Sequence, residues 1–326
     1  MILTYTPNPA IDATMSLNEE LELGSVSRLA SVTRVAGGKG INVSHVAHKA
    51  GVATRALFPA HSDDPFVALL AHTEVPYTAI NIAGSIRTNT TITEPSGRTT
   101  KLNGPGPELN ADERADVDKQ LLHAIEEFSP TWVVLAGSLP PSIPDTWYGD
   151  CVKAIRQNFP GVKIAVDTSD APMEALGSML PDAAPDLIKP NGLELGQLAG
   201  IDGVAAEKAA EQGDYSLIAD AARQMHTAGI TNVLVTLGSA GALLTTADGS
   251  WIATPPPITV QSTVGAGDSA LTGFILANIA GKTPDQCLRD AVAYGSAATA
   301  LPGTTAPSPE LLDRENTAVH AVNSAD

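Results

Sequence analysis

The sequence predicts an α/β protein built on a doubly wound parallel sheet, and three observations point there. Short apolar runs alternate with amphipathic helical patterns along most of the 326 residues. Aromatic residues make up only 4% while Ala and Gly abound, which suits helices packed closely on a sheet better than a β sandwich. The chain is 43% hydrophobic, enough at this length to fill a proper core.

Taken in order, the elements support that class. Val43, Val46, Ala47 and Ala50 form an apolar stripe that Gly51 ends, the pattern of a helix. Asn110 and Glu113 make a capping-box pair, after which Val117, Leu121 and Ile125 recur at helical spacing. Trp132 to Ala136, Lys163 to Asp167 and Asn232 to Thr236 read as buried strands. Two stretches break the alternation: Val26 to Ala36, and Ser85 to Leu102 with the turn Glu94-Pro95-Ser96-Gly97. Both are rich in Thr, Ser, Val and Ile and fit either a small separate sheet or edge strands of the main one; periodicity does not choose. Asp202 to Asp214 reads as a surface excursion, and the tail after Pro307 as partly frayed.

Charge and cysteine content narrow the function classes. Nineteen basic and 36 acidic residues give a net charge of −17, a field that repels nucleic acid and anionic membranes. Any anionic ligand must be held by local geometry. Cys151 and Cys287 lack CxxC partners, so neither a disulfide framework nor a zinc site is expected. The N-terminus has no secretory pattern and Ala270 to Ala280 is too short to span a bilayer; a soluble, cytoplasmic protein is expected. His45, His48 and His61 have no third ligand spaced to complete a metal site, and no Gly-x-Ser-x-Gly elbow supplies a hydrolase nucleophile.

The sharpest feature is Ser262-Thr263-Val264-Gly265-Ala266-Gly267-Asp268, a small-residue turn feeding a helix of about three to four turns. Its backbone N–H groups and the positive helix end favour an anion, with Gly allowing close approach. A carboxylate there would repel a phosphate, but it makes sense as a base that takes a hydroxyl proton while the amides hold the transferring group. The bland alternative is a tight helix entry in which Asp268 only complements the dipole.

A second turn, Gly37-Gly38-Lys39-Gly40-Ile41-Asn42, also opens a helix but lacks the spacing of a P-loop or a dinucleotide motif. That disfavours a nicotinamide-dependent dehydrogenase. Lys39 and Asn42 could hold a phosphate or sugar hydroxyl, or simply face solvent and cap the helix. Asp12, placed just after a first strand, Arg87, and Lys189-Pro190-Asn191-Gly192-Leu193-Glu194 lie at strand ends or turns, where ligands gather in open α/β sheets. Asn191 and Glu194 could orient magnesium water, although Asn-x-x-Glu is also an ordinary helix start.

Together these loops resemble the PfkB branch of the ribokinase-like sugar kinases. Gly37 to Asn42 matches its first signature and Ser262 to Ser269 its second, joined by TPNPAID, RTNTT, AGSLPPS, LIKPNGLE and VTLGSAGA in order, so the resemblance covers nearly the whole chain. It is strongest to the phosphosugar kinases of that family, which often have Ser where Ser262 stands. The resemblance implies one αβα domain over 1–326 with a small β-sheet lid from about 12–36 and 85–104. It implies Asp268 as catalytic base and Gly265, Ala266 and Gly267 as anion hole. Asp12, Gly38, Lys39, Asn42, Arg87 and Ser138 would take the phosphosugar. Lys189, Asn191, Glu194, Thr236, Gly238 and Gly241 would take ATP, with Mg2+ at Asn191 and Glu194 through water.

The implied reaction is ATP-dependent phosphorylation of fructose 1-phosphate at the 6-hydroxyl, ahead of fructose 6-phosphate and tagatose 6-phosphate as substrates, or, in a chain that had lost turnover, sugar-phosphate sensing. The resemblance also implies a homodimer joined through the lid.

Overall fold

The computed structural model describes residues 1–322. The chain opens with β1 (Ile2–Tyr5), then leaves through Thr6-Pro7-Asn8-Pro9 into β2 (Ala10–Leu17) and β3 (Leu29–Gly37). Pro7 and Pro9 have no N–H to offer a ladder and so release the chain from one sheet to another. Helix α1 (Lys39–Lys49), β4 (Thr54–Pro59), α2 (Pro65–Ala71), β5 (Tyr77–Ile80), β6 (Arg87–Thr93) and β7 (Thr99–Asn103) follow.

The alternation then becomes regular: α3 (Ala111–Phe128), β8 (Trp132–Ala136), α4 (Trp147–Asn158), β9 (Lys163–Asp167), α5 (Asp170–Ser178), β10 (Leu187–Ile188), α6 (Gly192–Ala199), α7 (Gly203–Glu211), α8 (Ser216–Thr227) and β11 (Asn232–Thr236). A short 3-10 turn, Gly238–Ala240, leads to β12 (Ala242–Thr246) and β13 (Gly249–Thr254), and the chain closes with α9 (Ala266–Ile279), α10 (Pro284–Thr299), the turn Pro309–Leu311 and β14 (Ala318–Ala321).

The described strands form two sheets. Ten run in the order β14-β13-β12-β11-β10-β9-β8-β1-β4-β5, parallel from β11 through β5 and antiparallel across β12, β13 and β14. The other four, β3-β2-β6-β7, stand apart, so the two Thr-rich stretches build a separate sheet and not edges of the main one.

One core layer joins the main sheet to α3, α4 and α6–α8 through Val117, Leu121, Tyr148, Ile155, Leu195 and Ile218; the opposite layer joins it to α1, α9 and α10 through Val43, Ala47, Leu271, Phe274 and Leu288. Each fully buried side chain of this kind contributes about 1.5–3 kcal/mol. Asn110 and Glu113 form the expected capping box on α3, a cap that typically contributes about 1 kcal/mol.

Three expectations need correction. The segment after Pro307, as far as it is described, carries β14, which pairs antiparallel with β13 through Trp251–Ala321 to Thr254–Ala318 and covers that edge, while 323–326 lie outside the described residues. Residues 202–214 are not an excursion: Asp202 caps α7, whose Gly203, Ala206 and Ala210 are buried. Gly203 lies so close to Gly192 and Leu193 of α6 that a β-carbon there would collide with backbone. Asp12 does not follow the first strand; it is the third residue of β2, in the small sheet.

Candidate active site

The main sheet reverses its order of connection at β1 and β8, and a crevice opens beyond the C-terminal ends of its parallel strands. Asn8 follows β1 and Ser138 follows β8. Asn8, 2% exposed, donates from Nδ2 to the Pro105 carbonyl at 3.1 Å and the Leu139 carbonyl at 3.3 Å, tying the exit of the small sheet to the loop after β8. Arg87, at the start of β6, donates to the Asn8 carbonyl at 3.1 Å, the Gly104 carbonyl at 3.1 Å and Ser138 Oγ at 3.0 Å. Arg87 and Ser138 are therefore brought together, with the guanidinium half-buried at the joint between the sheets.

Asp12 projects from β2 and accepts a hydrogen bond from Asn89 Nδ2 at 3.1 Å. Burial raises its carboxyl above the ordinary range, while Asn89, Arg87 and Lys101 pull it down. Gly37, at the end of β3, leaves room for the Asp12 side chain: a β-carbon there would overlap the Asp12 carboxylate and force it aside. Gly38 takes φ +130°, open only to glycine, and N-caps α1 with no side chain, so the turn presents its backbone directly.

Lys39 begins α1 and, with 32% of its side chain exposed, turns its ammonium inward and not to solvent. Its Nζ donates to Asp167 Oδ1 at 2.7 Å, and Asp167 itself is fully buried at the end of β9. Lys189, just after β10 and 5% exposed, brings its ammonium to 3.4 Å from Asp167 Oδ2. Burial alone would raise the Asp167 carboxyl, but Lys189 and Lys39 outweigh it and hold the group below its ordinary value. Lys39 is driven the other way: desolvation opposes its charge, and Asp167, Asp268 and Glu194 overcome that and raise it.

Asn42 is not a helix cap. It lies inside α1 and donates from Nδ2 to Asp268 Oδ2 at 2.7 Å. Asp268 sits in the first turn of α9 behind Gly265, which takes φ +79° as N-cap; no side chain caps this helix. First-turn N–H groups have no intrahelical acceptor, so the amides of Gly267 and Asp268 remain available to an anion. Burial and the Asp167 charge push the Asp268 carboxyl up to about 6, against the pull of Lys39, Asn42 and Lys189. A buried carboxylate poised near neutrality beside a row of amide donors can accept a proton from an alcohol. A β-carbon on Gly267 would lie 3.1 Å from Lys189 Nζ, which puts that ammonium at the same turn.

The remaining residues gather at the ends of β10 and β11. Asn191 Oδ1 accepts the Glu194 amide at 2.7 Å and Glu194 Oε2 accepts the Asn191 amide at 2.8 Å, a complete capping box on α6. The ordinary helix-start reading therefore holds; Glu194 Oε1 is left open on a half-buried side chain, enough to take a water of a hydrated cation. Thr236 bridges to Asn191 across the strand ends, and Gly238 and Gly241 take φ +56° and +92° in the next turn. A β-carbon on Gly241 would strike the Ala253 carbonyl, so the turn closes only with glycine.

Sequence reasoning passed over Asp167, Asn8 and Asn89. Asp167 was readable as the last residue of a parallel strand, the same rule that picked out Lys189; Asn8 and Asn89 lie inside TPNPAID and RTNTT, but nothing local assigns them a role.

Comparison with known proteins follows the same lines. The model described as "pfkB family carbohydrate kinase" matches residues 6–311. The chain is 34% identical over 297 residues to a 1-phosphofructokinase of Xanthomonas campestris, covering 90% of this chain and 89% of that one. It is 34% identical over 318 residues to a 1-phosphofructokinase of Rhodobacter capsulatus, covering 95% and 94%. Among solved structures, phosphofructokinase-2 from Escherichia coli in complex with fructose-6-phosphate superposes with a TM-score of 0.79 at 27% identity, covering 91% and 93%.

Proposed function

The chain belongs to the pfkB family of carbohydrate kinases, ATP-using sugar kinases, and from that premise we propose that it phosphorylates fructose 1-phosphate at the 6-hydroxyl, giving fructose 1,6-bisphosphate. The observation that carries the reading is Asp268: a buried carboxylate, raised to about 6, held by Asn42 at the uncapped N-terminus of α9.

In this reading the 6-hydroxyl oxygen attacks the γ-phosphorus of ATP in line, Asp268 accepts the hydroxyl proton, and ADP leaves with the electron pair of the broken bond. The amides of Gly265, Gly267 and Asp268 stabilise charge on the transferring group and the Lys189 ammonium adds to them, while the expected Ala266 amide turns back to the Thr263 carbonyl at 3.4 Å. Asp12, supported by Asn89, orients ring hydroxyls; Arg87, Ser138 and the Gly38 backbone hold the sugar phosphate, with Lys39 nearby. Thr236, Gly238 and Gly241 line the nucleotide side. Glu194, aligned by Asn191, fits a water-mediated contact to Mg2+, which when bound with ATP would neutralise phosphate charge.

The small sheet acts as a lid over the sugar, excluding water that would otherwise take the phosphoryl group. Its outer strand β3 leaves Leu29, Val32 and Val35 exposed, which supports a homodimer joined there.

The relatives named 1-phosphofructokinase favour fructose 1-phosphate, while the Escherichia coli structure favours fructose 6-phosphate as the second reading. Steady-state kinetics with fructose 1-phosphate, fructose 6-phosphate and tagatose 6-phosphate decide between them. The highest kcat/KM is expected for fructose 1-phosphate; a higher value for either of the others overturns the assignment.

A further inference from the structure

Among the described residues, Asp167 is the one fully buried carboxylate whose partners are two ammonium groups from different elements, Lys39 of α1 and Lys189 after β10. Its Oδ1 accepts one hydrogen bond from Lys39 at 2.7 Å, while Oδ2 has no hydrogen-bond partner and meets Lys189 only at 3.4 Å. A buried charge without full hydrogen bonding is costly, and a pair of apolar residues would fill the same space at lower cost. Two lysines this close would repel each other without an anion between them. Both belong to the site: Lys189 stands beside Gly267, and Lys39 is near enough to Asp268 to act on its charge.

We propose that Asp167 is a positioning residue that clamps the Lys39 and Lys189 ammonium groups as a fixed pair facing the N-terminus of α9, where the phosphoryl group is transferred. The proposal rests on the kinase reading above for its catalytic consequence, but the clamp is a property of the chain alone. Asp167 does not itself serve as the base, since its two cations stabilise its ionised form. The charged and titratable groups around it are Lys39 from α1, Lys189 after β10, Asp268 from α9, Glu194 from α6, whose charge acts on Lys39, and Tyr148 from α4, whose hydroxyl donates to the Gly137 carbonyl. Removing the Asp167 charge acts on Asp268 in one direction only. The repulsion that raises Asp268 disappears, and the freed ammonium groups favour its ionised form.

The test compares Asp167→Asn and Asp167→Glu with the unchanged protein. Loss of the clamp in Asp167→Asn is expected to lower kcat on the order of 100-fold, more than it raises the phosphosugar KM. The acidic limb of the pH profile should move down by about one unit. Asp167→Glu, which keeps the charge but displaces it, should recover part of kcat and most of the limb position. Wild-type kcat and limb position in Asp167→Asn overturn the proposal, as does loss of activity with an unmoved limb.

A second measurement keeps the clamp separate from the reaction and from the folding of the variants. Lysine 13Cε resonances of the unchanged protein, titrated by NMR, should show Lys39 still protonated above the ordinary lysine range. A Lys39 that titrates at the ordinary value overturns the clamp whatever the kinetics show. A raised Lys39 in a protein that phosphorylates none of the three sugars sinks the phosphosugar assignment and leaves the clamp standing.

Discussion

Asn42 in α1 and Asp268 in α9 are 226 positions apart, yet their side chains meet at 2.7 Å across one face of the main sheet. The contact is carried by packing between the two helices, with Val43 and Ala47 sharing a core layer with Leu271 and Phe274. It fixes the rotamer of a buried carboxylate, so the group that takes the proton is held in place before substrate arrives.

Replacing Asp268 with Asn keeps the shape and an acceptor oxygen for Asn42 but removes the base. Phosphoryl transfer is expected to fall by about 10²–10⁴-fold with the fold intact. Coupled-enzyme turnover checked against far-UV circular dichroism measures this, and an active Asp268→Asn protein would remove Asp268 from the mechanism.

The same carboxyl predicts two pH dependences. Transfer needs the ionised form, so kcat/KM should rise as pH rises through about 6. Stability should move the opposite way. In the unfolded chain an Asp titrates near 3.9, so between that value and about 6 the folded state holds the extra proton, and rising pH costs about 3 kcal/mol of stability from this group. Asp268→Asn should therefore melt a few degrees higher than the unchanged protein at pH 7.5, and an unchanged or lower Tm contradicts the buried-charge argument.

Gly37→Ala forces a methyl against the Asp12 carboxylate, which can swing aside because it is the free end of a side chain. The expected outcome is a folded enzyme with KM for the phosphosugar raised about 10-fold, the loss of roughly one hydrogen bond. KM for ATP should not change; an equal rise in both would place Asp12 outside the sugar site.

Arg87→Lys keeps the charge but cannot reach the Asn8 and Gly104 carbonyls and Ser138 together. A rise of about 10–100-fold in phosphosugar KM is expected. Titration calorimetry with the sugar phosphate alone separates this from a change in turnover, and unchanged affinity would show that Arg87 serves only to join the sheets.

Sedimentation equilibrium should give twice the chain mass, and Val32→Lys on the exposed β3 should halve it. A monomer at micromolar concentration in the unchanged protein removes the lid-mediated dimer.

The turn before α9 was legible because a run of small residues followed by an apolar helix encodes its own geometry. So was the capping box at Asn110, whose partners are three residues apart. Asp167 could be placed at a strand end but its role could not be read, because that role comes from Lys39, 128 residues away, and Lys189, which only the folded sheet brings to it. Periodicity could not separate the small sheet from the large one either: both use the same alternation, and the difference lies in β2 pairing with β3 and β6 and not with β1. The order of the described tail was not legible for a related reason, since Ala318–Ala321 is only four residues long and is held by pairing with the free edge of β13.

The residues around the crevice are drawn from Asn8 through Asp268, with contributions from both sheets and from the ends of β1, β8, β9, β10 and β11. No cut between Asn8 and Asp268 leaves a fragment that inherits the whole constellation. Recombination with an unrelated protein can therefore transplant the outer helices or the C-terminal edge strand, but the chemistry travels only as an indivisible unit, and divergence in substrate choice has to proceed by point substitution within it.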